Sequence, residues 1–302
     1  MKKLQLFNVG LHHKAHHMKI LKTVAGLIKQ ITGSARSPLG FVPTMGALHE
    51  GHLSLVGRAI NDCPSVVVSI YVNPTQFNDR EDLIRYPRTP EDDIALLSGI
   101  LRKNDYVLMP RDKEIYPEAD NRVFDFGNLD KIMEGIHRPG HFNGVAKVVS
   151  RLFDIVNPDI AYFGQKDFQQ LVIIRELVRQ YGYKVKIVAC PIIRENDGLA
   201  MSSRNRLLDP QIRKNAGIIY KSLLSASQMI KSFDIPEIRE YVVSNIESFD
   251  GFKVEYFEIV DETKLIPVSF KKEMNSEKVY FACIAVKAGK IRLIDNIKIP
   301  LP

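Results

Sequence analysis

Two histidines, His49 and His52, lie three residues apart in a stretch that reads G-F-V-P-T-M-G-A-L-H-E-G-H-L-S-L-V. An apolar run ends before them at Pro43, and an apolar pattern with helical spacing begins after them at Leu53. A strand, a glycine turn and a helix start, in this order, present backbone N–H groups to phosphate. Histidines three apart share one face. The pattern therefore predicts a site for one anionic group, although each histidine alone could be a hydrogen-bonded structural residue.

Polar residues also follow two other predicted strands. Gln76, in N-P-T-Q-F, could donate to and accept from a hydroxy acid, or it could face water. Lys166, in F-G-Q-K-D, lies at a predicted helix start, where it can meet phosphate. Asp167 and Gln170 have the spacing of an N-cap and N3 residue, which allows a structural capping box. A Gln170 side chain engaged in that box could not face a substrate.

The segment Met201-Ser202-Ser203-Arg204 presents two hydroxyls and a guanidinium together. Arginine binds phosphate oxygens in bidentate fashion, so this set could hold a leaving pyrophosphate. A position between two domains would let the segment close over a nucleotide. It could equally be a polar linker. Arg138, in E-G-I-H-R-P-G-H-F, is a further candidate ligand for a triphosphate.

Two acidic residues, Asp92 and Asp93, follow Pro90 near the start of a predicted helix. Carboxylates can hold magnesium. Acids in a first turn also complement the helix dipole, and this second interpretation is slightly favoured.

Strands alternate with helices in the first two thirds of the chain. The β-branched run at 65–71 is typical of a strand buried on both faces. Further strands are predicted at 105–109, 159–163 and 184–189, and helices at 19–31, 142–156 and 168–180. This alternation predicts an α/β fold with a doubly wound parallel sheet, whose ligands bind beyond the carboxyl ends of the strands.

The pattern changes after residue 192. A helix is predicted from Asp209-Pro210 to about residue 231, and another after Pro236. Strands are predicted at 253–260, 279–286 and 290–297, the last two as a hairpin. These elements predict a smaller C-terminal α+β domain at 193–302 beside a nucleotide-binding domain at 18–192.

Residues 1–17 are expected to be a poorly ordered extension. The segment contains His12, His13, His16 and His17. Their i, i+4 spacing could bind a metal on a helix, but we do not favour this interpretation.

Composition narrows the classes of protein. The net charge of +7 favours anionic partners, but the basic residues are scattered and do not indicate nucleic-acid binding. No apolar run is long enough to span a membrane. Three widely spaced cysteines predict neither a disulfide framework nor a zinc site, and they fit a reducing cytoplasm.

The ten residues P-T-M-G-A-L-H-E-G-H resemble the signature of the pantothenate synthetase (pantoate–β-alanine ligase) family, part of the nucleotidylyltransferase superfamily with its H-x-G-H motif. M-S-S-R-N also matches that family, and the resemblance covers nearly all of 18–302. It implies a Rossmann-like fold, a homodimer, and condensation of (R)-pantoate with β-alanine. The reaction would use ATP with Mg²⁺ and pass through a pantoyl adenylate.

The resemblance also assigns roles to residues. His49, His52, Lys166 and Arg204 would be catalytic, and Gln76 and Gln170 would bind pantoate. Asp92 and Asp93 are the candidates for magnesium on their residue type alone. ATP would be bound by Met45, Gly46, Ala47, Leu48, His49, Glu50, Gly51, His52, Gly164, Gln165, Lys166, Asp167, Ile193, Met201, Ser202, Ser203 and Arg204.

Three alternatives remain open. A metallohydrolase would use His49, His52, His137 and His141, but H-E-G-H is one residue short of the zincin motif H-E-x-x-H. A nucleic-acid-binding module would exploit the basic pI. A different nucleotidylyltransferase would release an adenylylated product.

Overall fold

The computed structural model describes residues 18–34 and 36–301, so the predicted extension at 1–17 lies outside the described residues. Six parallel strands form one sheet in the order β1-β4-β3-β2-β5-β6. They are β1 (Lys19–Leu21), β2 (Leu39–Thr44), β3 (Ser65–Ile70), β4 (Tyr106–Leu108), β5 (Ile160–Gly164) and β6 (Lys186–Cys190). The predicted α/β class with a doubly wound parallel sheet is confirmed.

The centre of this sheet is β2, with β3 on one side and β5 on the other. The chain runs outward from β2 through β3 to β4, and then crosses to β5. The crevice beyond the carboxyl ends of β2 and β5 is therefore the topological switch point, where ligands bind in folds of this kind.

Helices cover both faces of the sheet and continue into the C-terminal part. The longest is α7, whose apolar stripe makes it the main helical contribution to the core. The helices are α1 (Val24–Ser34), α2 (Glu50–Asp62), α3 (Arg80–Arg85), α4 (Pro90–Ser98), α5 (Asp112–Ile115), α6 (Glu134–His137), α7 (His141–Val156), α8 (Phe168–Tyr181), α9 (Pro210–Asn215), α10 (Ile218–Met229) and α11 (Ile235–Glu247).

The helix predicted at 19–31 is wrong at its start. Residues 19–21 form β1, which pairs with β4, and α1 begins only at Val24. The Thr23 side chain accepts a hydrogen bond from the Gly26 amide and so marks the helix start. Residues 19–21 are extended because they pair with β4, which lies far away in the chain. The spacing of apolar residues within a short segment does not encode such pairing.

The single helix predicted from 209 to 231 is two helices, α9 and α10. The chain bends at Gly217, where an added Cβ would lie 2.6 Å from the Asp197 carbonyl oxygen. Residues 216 and 217 separate the two helices, and Gly217 packs closely against the loop that contains Asp197. The helix predicted after Pro236 begins slightly earlier, at Ile235, because Asp234 and Glu237 form a capping box.

The C-terminal part contains an antiparallel sheet of β7 (Phe252–Asp261), β8 (Tyr280–Ala288) and β9 (Ile291–Ile299). The predicted hairpin joins β8 to β9. Its core packs α10 and α11 against the sheet. The predicted boundary at residue 192 falls just after β6, and it stays a prediction.

Two kinds of contact join this part to the first. Phe168 of α8 packs against Phe281 of β8 with ring centroids 4.4 Å apart and the rings tilted by 33°, and the buried Cys283 lies in the same apolar cluster. The buried Glu134 carboxylate accepts two hydrogen bonds from Arg292, at 2.6 and 2.7 Å. A paired, hydrogen-bonded charge is the arrangement that burial of a carboxylate requires.

Candidate active site

The turn after β2 and the first residues of α2, together residues 45–52, carry both histidines and are called the histidine turn. Gly46 and Ala47 both have positive φ, at 78° and 48°. This bend points the amides of Ala47 and Leu48 at one carboxylate of α4, and they donate to Asp93 at 2.9 and 2.7 Å. The turn does bind an anion with its backbone, but that anion is a side chain of the protein itself.

Two glycines in this turn are required by space. At Gly46 an added Cβ would lie 2.9 Å from Asp93 Oδ2, and the positive φ already disfavours other residues. At Gly51 an added Cβ would lie 2.8 Å from the His49 ring. The His49 imidazole therefore rests directly on the backbone of the first helical turn.

Both histidines accept hydrogen bonds through Nδ1 at the start of α2. The Gly51 amide donates to His49 Nδ1 at 3.1 Å, and the His49 amide donates to His52 Nδ1 at 3.4 Å. A neutral imidazole with an accepting Nδ1 carries its proton on Nε2. The capping geometry thus fixes two Nε2–H donors on rings whose centroids are 4.1 Å apart.

The environment keeps these rings neutral. Burial, followed by the charge of the nearby Lys166, lowers the pKa of His49 to about 4. Burial and the neighbouring His49 lower the pKa of His52 to about 3. The unfolded chain binds these protons near pH 6.5, so the two histidines reduce the free energy of unfolding as the pH falls from about 6.5 towards 4.

Lys166 and Asp167 lie between β5 and α8, beside the histidine turn. The Lys166 ammonium is 3.4 Å from the Asp167 carboxylate. The Asn296 side chain, from β9, donates to the carbonyls of Gln165 and Lys166 at 2.9 and 3.1 Å. The C-terminal sheet therefore holds the backbone from which Lys166 projects.

The capping box considered for Asp167 and Gln170 is not formed. Asp167 is the N-cap residue of α8, but within the described structure its side chain makes no capping hydrogen bond. Gln170 instead lines the cleft described below. The structural interpretation that would have kept Gln170 from a substrate does not apply.

The segment Met201–Arg204, called the arginine segment, reaches the cleft from the other side. Ser203 Oγ donates to the Ala47 carbonyl at 3.0 Å, which ties this segment to the histidine turn. Arg204 donates to the Asp82 carboxylate of α3 at 2.8 Å and lies over the Tyr86 ring. The side chains of Ser202, Ser203 and Arg204 therefore lie along the same cleft as the two histidines.

These parts enclose one cleft at the switch point of the sheet. The cleft opens to solvent, and the empty space within it and at its mouth amounts to about 870 Å³. Its predicted site residues are Met45, His49, Gly51, His52, Gly164, Lys166, Asp167, Gln170, Ile193, Met201, Ser202, Ser203 and Arg204. It continues past Lys166 and Arg204 into a second, interdomain cleft.

Five residues predicted to contact ATP do not line this cleft in the described structure. Ala47 and Leu48 are buried and give their amides to Asp93, while Glu50 is exposed. The five residues that do not line the cleft are Gly46, Ala47, Leu48, Glu50 and Gln165. Their contact with ATP stays a prediction.

Asp92 and Asp93 do not form the expected carboxylate pair. Asp92 is exposed, whereas Asp93 is 1 % exposed and directed at the histidine turn. Among the residues that the structure describes, no group of three His, Cys, Asp or Glu side chains could hold a metal ion. The two aspartates therefore do not fit a magnesium site.

Gln76 lies deeper, beyond Met45. Its Nε2 donates to Met45 Sδ at 3.0 Å, and its Oε1 accepts from Asn73 at 3.2 Å. Helix α7 packs closely against this position, because a Cβ at Gly144 would lie 2.5 Å from the Gln76 Cα. Met45 is thus the wall between Gln76 and the cleft.

Arg138 faces the interdomain cleft near Lys166 and Arg204. Its guanidinium lies 3.9 Å from Glu134 and donates to the ring of His141 at 3.1 Å. Burial and the Arg138 charge lower the pKa of His141 to about 4. His137 is exposed and stacks on Tyr256, so the four histidines of the metallohydrolase alternative are not brought together.

Three residues important for this geometry have roles that no local signal in the sequence reveals. Asp82 holds Arg204, and Asn296 holds the backbone at Lys166. Asp93 was noticed as an acid after Pro90, but its role as the clamp of the histidine turn was not. Each acts on an element far away along the chain, so no short motif could reveal it.

A cleft at the switch point of a doubly wound sheet, with neutral histidine donors and two cations, defines an enzyme of the nucleotide-binding α/β class. A family model for pantoate-β-alanine ligases matches residues 17–298. Pantothenate synthetases of Bacteroides thetaiotaomicron and Porphyromonas gingivalis are 48% and 49% identical, each over 93% of this chain and 99% of the relative.

Solved structures agree. A pantothenate synthetase from Thermus thermophilus superimposes with a TM-score of 0.86 at 42% identity, covering 94% of this chain and 100% of that one. A pantoate-β-alanine ligase from Francisella tularensis, solved with β-γ ATP and β-alanine, gives a TM-score of 0.76 at 35% identity over 93% and 98% of the two chains.

The chain belongs to the pantoate-β-alanine ligase family. It is therefore an enzyme, and its activity is the joining of pantoate to β-alanine to form pantothenate. In the part of the chain that the structure describes, no helix is both long and apolar enough to cross a membrane.

Proposed function

We propose that this protein condenses (R)-pantoate with β-alanine at the expense of ATP, through a pantoyl adenylate, and releases AMP and pyrophosphate. One observation carries the proposal: His49, His52, Lys166 and Arg204 line a single cleft at the switch point of the sheet. The family supports the overall reaction, and the Francisella relative, solved with β-γ ATP and β-alanine, supports ATP as the nucleotide.

The first step is an in-line displacement at the α-phosphorus. A carboxylate oxygen of pantoate forms the new P–O bond, and the bond to the β-phosphate oxygen breaks. Such a step needs alignment and stabilisation of growing negative charge, not a covalent bond to the enzyme. The Nε2–H groups of His49 and His52 donate to the phosphate, while Lys166 and Arg204 balance the charge that moves to pyrophosphate.

In the second step the amine of β-alanine attacks the acyl carbon of the adenylate. The C–N bond forms, AMP leaves with the bonding pair of the acyl C–O bond, and the attacking neutral amine loses one proton to solvent or base and keeps the other as the amide N–H. An acyl adenylate hydrolyses readily, so closure of the cleft protects it from water. The arginine segment, joined to the histidine turn through Ser203, is placed to provide that closure.

Pantoate is assigned to Gln76 and Gln170. Both are amides, which can donate to a carboxylate and accept from a hydroxyl at the same time. Gln170 lines the cleft, and Gln76 lies behind Met45. The Met45 side chain is flexible and unbranched, so it can move to open the Gln76 amide to a substrate.

Magnesium is expected to accompany ATP, bound to its phosphate oxygens and water, as this ion commonly is. The Asp92 and Asp93 pair is not a fit for it, for the reasons given above. We also propose a homodimer in the cytoplasm. The free cysteines Cys63, Cys190 and Cys283 fit a reducing compartment, and sedimentation of the purified protein tests the dimer.

The decisive experiment is pantoate-dependent pyrophosphate release from ATP by purified protein. Without β-alanine, about one equivalent of pyrophosphate per site should appear in a burst and then slow, because the adenylate stays bound. β-Alanine should convert the burst into steady turnover with pantothenate as product. Steady turnover without β-alanine would instead indicate a nucleotidylyltransferase that releases its adenylylated product, and no pantoate dependence would refute the proposal.

A further inference from the structure

His141 occupies a buried position between two parts of the site. It is the first residue of α7 and is 6 % exposed. On one side its Nε2 lies 3.1 Å from Nη1 of Arg138, which faces the interdomain cleft. On the other side its Nδ1 lies 2.8 Å from the backbone carbonyl of Gln76.

The two partners fix the proton on the ring. A guanidinium can only donate, so His141 Nε2 must accept. A backbone carbonyl can only accept, so His141 Nδ1 must carry the hydrogen. One neutral tautomer satisfies both bonds, and either protonation of Nε2 or transfer of the hydrogen to Nε2 breaks the bond from Arg138.

This tautomer is opposite to that of the histidine turn. His49 and His52 accept through Nδ1 and direct Nε2–H into the cleft, whereas His141 accepts through Nε2 and donates through Nδ1. His141 thus has no ring hydrogen to offer to a ligand. Both of its nitrogens are used to hold other residues.

The residues at its two ends belong to different subsites. Arg138 is the candidate ligand for the triphosphate, and Gln76 is the candidate ligand for pantoate. The close approach of Gly144 to Thr75 and Gln76 presses the start of α7 against the Gln76 backbone. A shift of either residue is therefore transmitted to the other through a rigid ring.

We propose that His141 is a positioning residue that couples the phosphate-binding Arg138 to the pantoate-binding Gln76. The inference rests on the proposed function, because it uses the subsites assigned there. We expect ATP and pantoate each to improve the binding of the other, because a ligand that fixes one end of the ring also fixes the residue at the other end. The two effects should be equal in size, because coupling between two sites is reciprocal. Removal of one bond should uncouple the sites and weaken mainly the ligand on that side.

A matched pair of substitutions separates the two bonds. In His141→Asn the side-chain amide nitrogen takes the place of Nδ1 and keeps the bond to the Gln76 carbonyl, but nothing accepts from Arg138. In His141→Gln the amide oxygen takes the place of Nε2 and keeps the bond from Arg138, but the donor to Gln76 is lost. A lost hydrogen bond of this strength corresponds to a change of about tenfold in affinity.

The measurements are the KM values for ATP and pantoate in the pyrophosphate-release assay, with the melting temperature of each variant. We expect His141→Asn to raise the KM for ATP about tenfold with the pantoate KM within about twofold of wild type. His141→Gln should show the reverse. In both variants the dependence of the ATP KM on pantoate should disappear.

Equal increases in both KM values, in step with a lower melting temperature, would show a merely structural role and overturn the proposal. The wild-type protein gives an independent test through ¹⁵N NMR of its histidine rings at pH 7. A neutral ring at position 141 with hydrogen on Nδ1 is expected, and an Nε2–H ring or an imidazolium would overturn the proposal. Absence of pantoate-dependent pyrophosphate release would refute the proposed function. The NMR result would still show whether His141 makes both hydrogen bonds, to Arg138 and to the Gln76 carbonyl.

Discussion

The histidine turn and the arginine segment face the same cleft but are held in different ways. The histidine turn is fixed by buried bonds, from its amides to Asp93 and between its own rings and backbone. Arg204, in contrast, is held by Asp82, whose side chain is 36% exposed and lies on a helix of six residues. A phosphate could replace that carboxylate without disturbing the core.

This difference matches two kinds of task. Donors that stabilise a transition state act best when they need no reorganisation during the reaction. A cation that must admit a large nucleotide and later release pyrophosphate benefits from a partner that it can exchange. The histidine turn is therefore preorganised, whereas the arginine segment is held by an ion pair that a phosphate can replace.

The largest effect is expected at His49. Asparagine is a good N-cap residue, so His49→Asn should keep the bond from the Gly51 amide while removing the Nε2–H donor. We expect the single-turnover rate of adenylation to fall by roughly 10²–10³, or about 3–4 kcal/mol, with a melting temperature close to wild type. A rate loss that follows a fall in melting temperature would indicate that His49 serves the helix start alone.

The next effect concerns the clamp on the turn. Asp93→Asn directs an amide hydrogen at a backbone N–H, which should lower the free energy of unfolding by roughly 1–3 kcal/mol. Asp92→Asn is the matched control, since that side chain is exposed on the same helical turn. Urea denaturation of both variants measures the difference. Equal stability of the two would remove Asp93 from the role of clamp.

Arg204→Lys keeps the charge but loses the planar fork that binds phosphate. We expect turnover in the adenylation step to fall by about tenfold, with pantoate affinity changed much less, because a single hydrogen bond to phosphate is replaced. Steady-state and single-turnover assays in parallel show which step slows. Turnover close to wild type would exclude Arg204 from stabilising the leaving group.

The smallest effect should come from Asp82→Asn. Removing the carboxylate frees Arg204 for the nucleotide, so the KM for ATP should fall, by up to about fivefold for a partly exposed ion pair. High salt should reduce the difference between variant and wild type. A higher KM for ATP would mean that Asp82 assists binding, and the exchange of anions at Arg204 would be wrong.

Sequence alone predicted much of the fold because its main signals are local. The β-branched run at β3 and the apolar stripe of α7 depend on neighbours in the chain, and both elements are present near the predicted bounds. The failures were at β1 and at the break between α9 and α10. At β1 the structure is decided by pairing with β4, and at the break Gly217 packs closely against Asp197, so both places involve contacts between residues far apart in the chain.

The candidate site divides in the same way. His49, His52, Lys166 and Arg204 lie in short motifs, and the structure brings all four to one cleft. Their partners lie elsewhere in the chain, and polar residues such as Asp82 resemble any solvated surface residue when viewed in sequence. The amide of Ala47 donates to Asp93 and is therefore not free for a ligand. Its direction depends on a carboxylate that lies far away in the chain.

Cys283 allows the separation of the two parts of the molecule to be measured by the rate of its chemical modification. Its thiol is buried in the apolar cluster with Phe168 and Phe281, and burial raises its pKa. An alkylating reagent needs an accessible thiolate, so reaction at this position requires the contact to separate. The rate of alkylation of Cys283 thus reports how often that contact separates. The rates at the buried Cys63 and Cys190 report how often the first part of the molecule opens.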